Sequence, residues 1–286
     1  MTWEQTPQGS TDSLSVVVTS VSFDGELKGL VDSFMAARDS RNHELIIILK
    51  TGPEVTLGFK NIRVIVCKGR SRCFRKDYGA SVARYSLLCF MDSDCRFAED
   101  YFLNLNKIGP LAKVVRGKVN YLHDGSYFGM AQSEYRRLCD ECYFRLETFT
   151  PNLIVRKDFF QTVGGFDEAH NIDANDDFIL SEKVKKVLPD LQKIDDLCVD
   201  CIPDDRLART MRSWFGYGTG YGFRWWKYHG SDRRDVWRFP PLVIPARIFT
   251  VFLPVLILQW IVCWSGFVVG LIKYRDVQRH ETVTCS

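Results

Sequence analysis

Two carboxylates separated by one residue, Asp92-Ser93-Asp94, stand directly after the apolar run at 87–91 (LLCFM). Placed at i and i+2 at the C-terminal end of a buried strand, such carboxylates can converge on one divalent cation. Mg2+ and Mn2+ are hard ions that take oxygen ligands, typically carboxylates together with substrate phosphates. A cation held there neutralises a diphosphate leaving group, the main electrostatic obstacle to breaking a bond to that group. An isolated D-x-D is common in turns and solvated loops. The buried run before it gives this one chemical meaning.

A second group of carboxylates closes the segment at 152–177, NLIVRKDFFQTVGGFDEAHNIDANDD. It reads as a strand carrying Arg156, a tight Gly164-Gly165 turn, and acidic residues on a loop that opens a helix. Asp176 and Asp177 precede Phe178, Ile179 and Leu180, so they fall where a helix N-terminus favours the ionised form. An ionised carboxylate can accept a proton from an attacking hydroxyl. The bland alternative is an ordinary strand, helix and glycine turn. The third group is RLARTMRSWFGYGTGYG at 206–222. Arg206, Arg209 and Arg212 fall at i, i+3 and i+6, sharing a helix face only loosely. Arginine suits bidentate phosphate binding. The glycine run reads as a mobile gating loop, or the whole as a solvated basic helix.

Two C-x-x-C pairs, Cys139/Cys142 and Cys198/Cys201, each offer half a zinc site, but the 55 residues between them exceed zinc-ribbon spacing. Free buried thiols are the simpler reading. The histidines at 43, 123, 170, 229 and 280 are scattered, and none pairs with a Cys or Ser in the manner of nucleophilic catalysis.

Near-continuous apolar runs at 14–18 (LSVVV), 45–49 (LIIIL), 64–67 (VIVC) and 87–91 must position these groups, and they read as buried parallel strands. Leu27, Leu30, Val31 and Phe34 recur at helical spacing between the first two, 78–85 allows one or two helical turns, and 134–149 reads as a helix. Strand–helix alternation predicts a doubly wound α/β sheet, in which ligands bind at the carboxyl ends of the strands. The 286 residues, 46% hydrophobic and 26% charged, suffice for a core that needs no disulfide or metal staple.

The net charge of +3 is unevenly placed, with nine Lys and Arg against Asp232 and Asp235 between 206 and 247. That stretch leads into 25 uncharged residues at 248–272 (IFTVFLPVLILQWIVCWSGFVVGLI), long enough to cross a bilayer even with Pro254 and Gln259 inside it; a buried core helix and a re-entrant hairpin turning near Ser265-Gly266 are the alternatives. Basic charge beside an apolar run fits an anionic membrane surface rather than nucleic acid, for which no module motif is present. Trp225, Trp226 and Trp237 lie where an interfacial belt would sit. Five cations (Lys227, Arg233, Arg234, Arg238, Arg247) before the span and three (Lys273, Arg275, Arg279) after it place the main domain on the cytosolic side. Residues 1–11 lack the basic and apolar regions of a signal peptide, which agrees with a cytosolic domain of reduced thiols.

Taken in order, these pieces resemble glycosyltransferase family 2. LSVVVTSVSFDGEL resembles its opening strand and turn. KDYGASVARYSLLCFMDSD resembles the stretch from its Arg-Asn-x-Gly motif to its D-x-D. NLIVRKDFFQTVGGFDE resembles its acceptor-side segment, NDD its Glu-Asp motif, and Arg212 with Trp214 its Arg-Trp element. The match spans about residues 14–220. The resemblance implies a GT-A type doubly wound mixed sheet, a Rossmann-like nucleotide-binding half plus an acceptor half, followed by a C-terminal transmembrane helix. It further implies an inverting, membrane-associated transferase that moves a sugar from a nucleotide-diphosphate donor to a lipid-linked or glycan acceptor, using Mg2+ or Mn2+. Asp94 would be the chief metal ligand, with Asp92 on the metal or the ribose. Thr19, Ser22, Lys76, Asp77, Arg212 and Trp214 would line the donor site. Arg156, Gly164 and Gly165 would lie on the acceptor side, and Asp177, with Asp176 beside it, would be the base. The expected organisation is a polar tail (1–13), the catalytic domain (14–222), an interfacial segment (223–247), the span (248–272) and a tail (273–286).

The sequence departs from the family in places. Thr19 stands where Pro is usual, Lys50-Thr51-Gly52 has no carboxylate where an acidic pair usually binds the nucleoside, and Asp77 and Asp176 replace Asn and Glu. A sugar nucleotidyltransferase is the competing enzyme class, but Ser20-Val21-Ser22-Phe23 is not its Gly-rich loop. A non-catalytic membrane scaffold is the third reading, supported only by the missing carboxylates.

Overall fold

The apolar runs form strands, as residues buried on both faces of a sheet should. The computed structural model describes residues 13–53, 57–108, 111–143, 147–166, 176–188, 191–202, 206–229 and 252–275. Strand β1 (Leu14–Ser20) pairs in parallel with β2 (Glu44–Leu49) and β4 (Leu87–Asp92), and β2 with β3 (Ile62–Val66). Every residue of β2 is buried. Four further strands, β5 (Cys95–Phe97), β6 (Val114–Tyr121), β7 (Leu153–Arg156) and β8 (Gln192–Cys201), complete a sheet of order β3-β2-β1-β4-β7-β6-β8-β5. Strand β7 runs antiparallel to β4 and β6, β8 is parallel to β6, and β5 is antiparallel to β8, so the sheet is mixed.

Helices cover both faces. Asp24 caps α1 (Gly25–Ala36) by accepting from the Leu27 amide at 3.0 Å, and the helix buries Leu27, Leu30, Val31 and Phe34, the residues its spacing predicts. With α3 (Tyr101–Lys107) it packs on one face, against Val16 and Val18. Helices α2 (Arg72–Val82), α5 (Lys157–Thr162) and α6 (Asp176–Lys185) pack on the other, against Val17 and Phe90. Helix α2 starts earlier than the sequence predicts. Ser71 caps it at 3.1 Å, and its buried face holds Cys73, Arg75, Lys76, Gly79 and Ala80, which gives no apolar stripe to read. The Arg75 guanidinium donates to the carbonyls of Ser20 and Ile48 and ties α2 to the ends of β1 and β2. Helix α4 (Tyr127–Leu138) likewise starts before the expected 134, because Ser126 caps it at 2.9 Å.

The largest revision concerns the C-terminal third. The glycine run, read either as a gating loop or as part of a basic helix, is helical, inside α7 (Leu207–Arg224). Helix α8 (Leu253–Tyr274) lies against α7 along most of its length, and the two run parallel. Phe215 faces Gly266, Thr219 faces Gly270, and Phe223 stacks edge-on with Tyr274. A Cβ on Gly218 would strike the Cys263 carbonyl, one on Gly222 the backbone of Gly270, and one on Gly266 the Phe215 carbonyl. Glycine at these positions lets two helix backbones approach closely, as small residues do in helix pairs within membranes. Trp226 Nε1 donates to the Leu271 carbonyl at 2.7 Å, and Cys263 Sγ donates to the Trp214 carbonyl at 3.3 Å. The apolar segment thus packs against the domain. Trp237 and the tail beyond 275 lie outside the described residues.

Candidate active site

The carboxyl ends of β1 and β4 open onto a cavity of about 300 Å3 whose far walls come from α4, α7 and α8. Thr19 is the direct neighbour of Asp92 across the β1–β4 pair, and both line the cavity with Ser93 and Asp94. The turn after β4 holds Asp94 in place, since its carbonyl accepts from the Ile202 amide at 2.9 Å. Burial, then the neighbouring Asp92 carboxylate, push the Asp94 carboxyl up to about 6, with Arg136 opposing the rise. Two carboxylates crowded in a half-buried turn are oxygen donors whose charge is only partly balanced.

Asp176 and Asp177 open α6 and also line the cavity, but their surroundings differ. Lys76 Nζ, itself buried, donates to Asp176 Oδ2 at 2.6 Å and to Thr150 Oγ1 at 3.2 Å. Arg72 approaches the same carboxylate at 3.9 Å. Burial pushes the Asp176 carboxyl up, yet the charges of Lys76 and Arg72 outweigh it and hold the group below the usual carboxylate range. Among the described residues, no cation pairs with Asp177 as Lys76 does with Asp176. Asp177 Oδ1 accepts from the Phe178 amide at 2.9 Å. Burial first, then repulsion from Asp176, push it up to about 7. Desolvation and a like charge thus oppose the helix N-terminus at Asp177.

Helix α7 presents Thr210, Ser213, Trp214, Tyr217 and Tyr221 to the cavity, a set of i, i+3, i+4, i+7 and i+11 positions on one face. Arg212 lies about 200° around the helix from Thr210 and is exposed away from the cavity. Arg209 lines it instead, holding Glu26 in a two-pronged pair at 2.6 and 2.9 Å. Of the other residues singled out in the sequence, Lys76 acts on the site through Asp176, and Ser22, half-buried in the loop after β1, does not line the cavity. Asp77 Oδ1 accepts from the Phe166 amide at 2.9 Å and packs against Gly165, so it braces the glycine turn. That turn has φ of 76° at Gly164 and 54° at Gly165, left-handed values that favour glycine. Arg156 pairs with Leu87, at the opposite end of β4 from Asp92, roughly 17 Å of strand away.

Several lining residues went unread in the sequence: Glu26, Arg72, Gln132, Arg136, Gln259 and Cys263. Arg136 and Gln132 sit on α4, in the stretch whose pattern is hardest to parse. Gln259 and Cys263 were counted as parts of an anchor. The one grouping of metal-type side chains within coordinating range, among the described residues, is Asp94, Cys95 and Cys201. Hydrogen bonding to Cys201, then burial, raise the Cys95 thiol well above its usual range. The Cys142 side chain, needed for a four-cysteine zinc site, lies outside the described residues.

No family model and no curated protein matches this chain in sequence. Solved structures do match in shape. A mannosyltransferase from Pyrobaculum calidifontis, in complex with GDP-Man and Mn2+, superposes over 96% of this chain and 79% of its own, with TM-score 0.55 and 11% identity. Residues 1–349 of S. aureus TarS superpose over 90% of this chain and 80% of theirs, with TM-score 0.51 and 14% identity. The fold is GT-A-like. The mixed sheet with helices on both faces is therefore a scaffold that glycosyltransferases use, and the chemistry rests on the site itself.

Proposed function

We propose that the chain is a metal-dependent glycosyltransferase that uses a nucleotide-diphosphate sugar. The observation that carries the reading is the meeting of Asp92, Asp94 and Asp177 on one cavity, from two separate chain segments, at the carboxyl ends of parallel strands. Asp92 and Asp94 suit Mg2+ or Mn2+, because their mutual repulsion marks oxygen donors short of positive charge. Such a cation supplies neutralisation of the diphosphate leaving group. The Pyrobaculum structure, with GDP-Man and Mn2+ on the same fold, supports this.

Within the site, Asp177 takes the proton of the acceptor hydroxyl. A base works best when its pKa lies near the working pH, and a carboxyl near 7 meets that condition. Asp176 cannot share the role, because Lys76 holds it as a permanent ion pair. Arg72 and Arg136 add positive charge beside the leaving group. A base on one side of the sugar and the leaving group on the other give inversion by single displacement. A thermal-shift screen of UDP and GDP with Mn2+ tests the reading, since a ligand of the folded state raises the melting temperature by mass action. Stabilisation that needs both nucleotide and metal is expected, and a flat response to every pair would sink it.

The acceptor is proposed to be lipid-linked or a membrane glycan. Helix α8 is long and apolar enough to cross a bilayer, with mean hydropathy 2.2, and 39% of that stretch is buried in the protein. Its other side exposes Ile257, Trp260, Ile261, Val268, Val269 and Ile272. An upright span would draw α7 into the hydrocarbon with Arg209, Arg212 and Arg224, a large cost for charged side chains. A helix lying in the membrane surface, with its apolar side down and α7 above it, avoids that cost. Carbonate-washed vesicles with a C-terminal epitope tag distinguish the two. Tag and domain open to protease on the same face support the in-plane helix, and a protected tag restores the single span.

A further inference from the structure

Strand β5 begins directly after Asp94, and its first residue, Cys95, lies opposite Cys201 of β8. The Ile202 amide donates to the Asp94 carbonyl at 2.9 Å, and the Ala98 amide to the Cys198 carbonyl at 3.4 Å. Hydrogen-bonded and non-hydrogen-bonded pairs alternate along an antiparallel ladder, so Cys95 and Cys201 form a non-hydrogen-bonded pair. Such partners have Cα atoms about 4.5 Å apart and side chains side by side on one face of the sheet. Both cysteines are buried on that face with Phe97 and Val199. The Asp94 carboxylate meets them there. Cys95 Sγ donates to its Oδ1 at 3.8 Å, and the two sulfurs and a carboxylate oxygen all lie within 4.8 Å of one another. Asp94 and Cys201 also line the cavity, which gives an ion a way in.

Two sulfurs and one oxygen are a poor ligand set for hard Mg2+ or Mn2+ and a good one for Zn2+ and softer ions. On a tetrahedral ion with Zn–S bonds of about 2.3 Å, two sulfurs stand roughly 3.8 Å apart, so the side chains need close by no more than about 1 Å. We infer that Asp94, Cys95 and Cys201 form a site for a thiophilic divalent cation of the Zn2+ class, which holds Asp94 and so denies it to Mg2+ or Mn2+. On binding, each thiol releases its proton to solvent, and two thiolates and one carboxylate then face the dication. Water takes the fourth position. Asp92 and Glu26 add negative charge around Asp94, against Arg136. The pairing differs from the one that the Cys198-x-x-Cys201 spacing suggests. Residues three apart on a strand point to opposite faces, so Cys198 turns away from Cys201 and accepts from Asn120 Nδ2 at 3.1 Å. The site stands on this geometry alone. Its effect on activity rests on the glycosyltransferase reading, in which Asp94 is the ligand of the catalytic ion.

The full chain, kept reduced with a phosphine, is titrated with Co2+ and then Zn2+. Bound Co2+ is expected to show an intense sulfur-to-metal charge-transfer band that Zn2+ displaces. X-ray absorption of the zinc form is expected to count two Zn–S bonds of about 2.3 Å, a measurement that needs no variant. Cys95→Ala and Cys201→Ala should each lose the band and weaken Zn2+ binding by more than the roughly 10–100-fold that losing an outer-shell partner costs. Cys198→Ala should keep both. Metal-free melts check that each variant folds, and the sulfur count decides if one does not. A band that survives in Cys95→Ala or Cys201→Ala, one lost in Cys198→Ala, or a sulfur count other than two overturns the site. For the effect on Asp94, UDP or GDP with excess Mn2+ is melted with and without enough Zn2+ to fill the thiol site. Wild type is expected to lose the nucleotide-dependent rise in melting temperature, and Cys201→Ala to keep it. A rise that Zn2+ leaves untouched in wild type, or abolishes in both proteins, overturns the competition for Asp94. If the thiolate band behaves as expected but no nucleotide and metal pair stabilises wild type, the thiol site stands and the glycosyltransferase reading fails.

Discussion

Asp94→Ala is expected to abolish sugar transfer while the protein folds normally. The carboxylate contributes little to the native structure. Its side-chain hydrogen bond among the described residues, from Cys95 Sγ at 3.8 Å, is long, and its burial beside Asp92 is unfavourable enough to raise its pKa to about 6. The turn itself is held through the Asp94 backbone, whose carbonyl accepts from Ile202. Removing the side chain should therefore leave the melting temperature of the free protein unchanged or slightly higher. In the proposed function the same side chain is the chief oxygen ligand of the divalent cation, and without the cation the diphosphate charge goes uncompensated as the sugar leaves. The variant should lose the Mn2+-dependent part of nucleotide stabilisation together with turnover. Wild-type turnover under limiting Mn2+ would show that the metal is held elsewhere, and loss of the native melt would show that Asp94 is structural.

The parallel half of the sheet was legible because its strands are buried on both faces and so write themselves as unbroken apolar runs, as in 45–49 and 87–91. The D-x-D and the Asp176-Asp177 pair were legible because each follows or opens a regular element. Strand β8 was not, since its first half, Gln192 to Asp196, is largely exposed and polar, and only its end alternates. Helix α2 was read too short because its buried face carries Arg75 and Lys76, which bond to strand carbonyls and to Asp176 and leave no apolar stripe. What α8 packs on was not legible for a different reason. Length and lack of charge measure what a helix can cross, and they do not reveal what it packs on. The signal was nevertheless present as two matching spacings, Gly218-x-x-x-Gly222 and Gly266-x-x-x-Gly270, the pattern that lets backbones meet. Gln259 bears on the same point: it is a tolerated exception in a lone span, and here it lines the cavity that α8 walls.

Asp177→Asn should lower turnover on a hydroxyl acceptor by roughly 10²–10⁴-fold, the usual loss for a general base, with nucleotide binding nearly unchanged. Its pH behaviour sets this prediction apart from simple damage. In the folded protein the carboxyl titrates near 7, well above its ordinary value near 3.8, because burial and Asp176 disfavour its charge. The reaction needs the ionised form, so wild-type activity should rise with pH through about 7, and that acidic limb should vanish in the variant. Stability moves in the opposite sense. Between about pH 4 and 7 the folded state keeps a proton that the unfolded chain has released, so this group's contribution to stability falls as pH rises across that window. Above it, the folded protein carries a charge it disfavours, which asparagine removes. The variant should therefore melt higher than wild type at pH 8 and at the same temperature below pH 4. Rate profiles and melts across pH 4–8 give both readouts. A variant that is less active but also less stable at pH 8 would mark Asp177 as structural, and one fully active on a hydroxyl acceptor would remove it from the base role. Full activity only on a phosphate acceptor would instead identify the nucleophile as one already ionised, which needs no base and fits a polyprenyl-phosphate substrate.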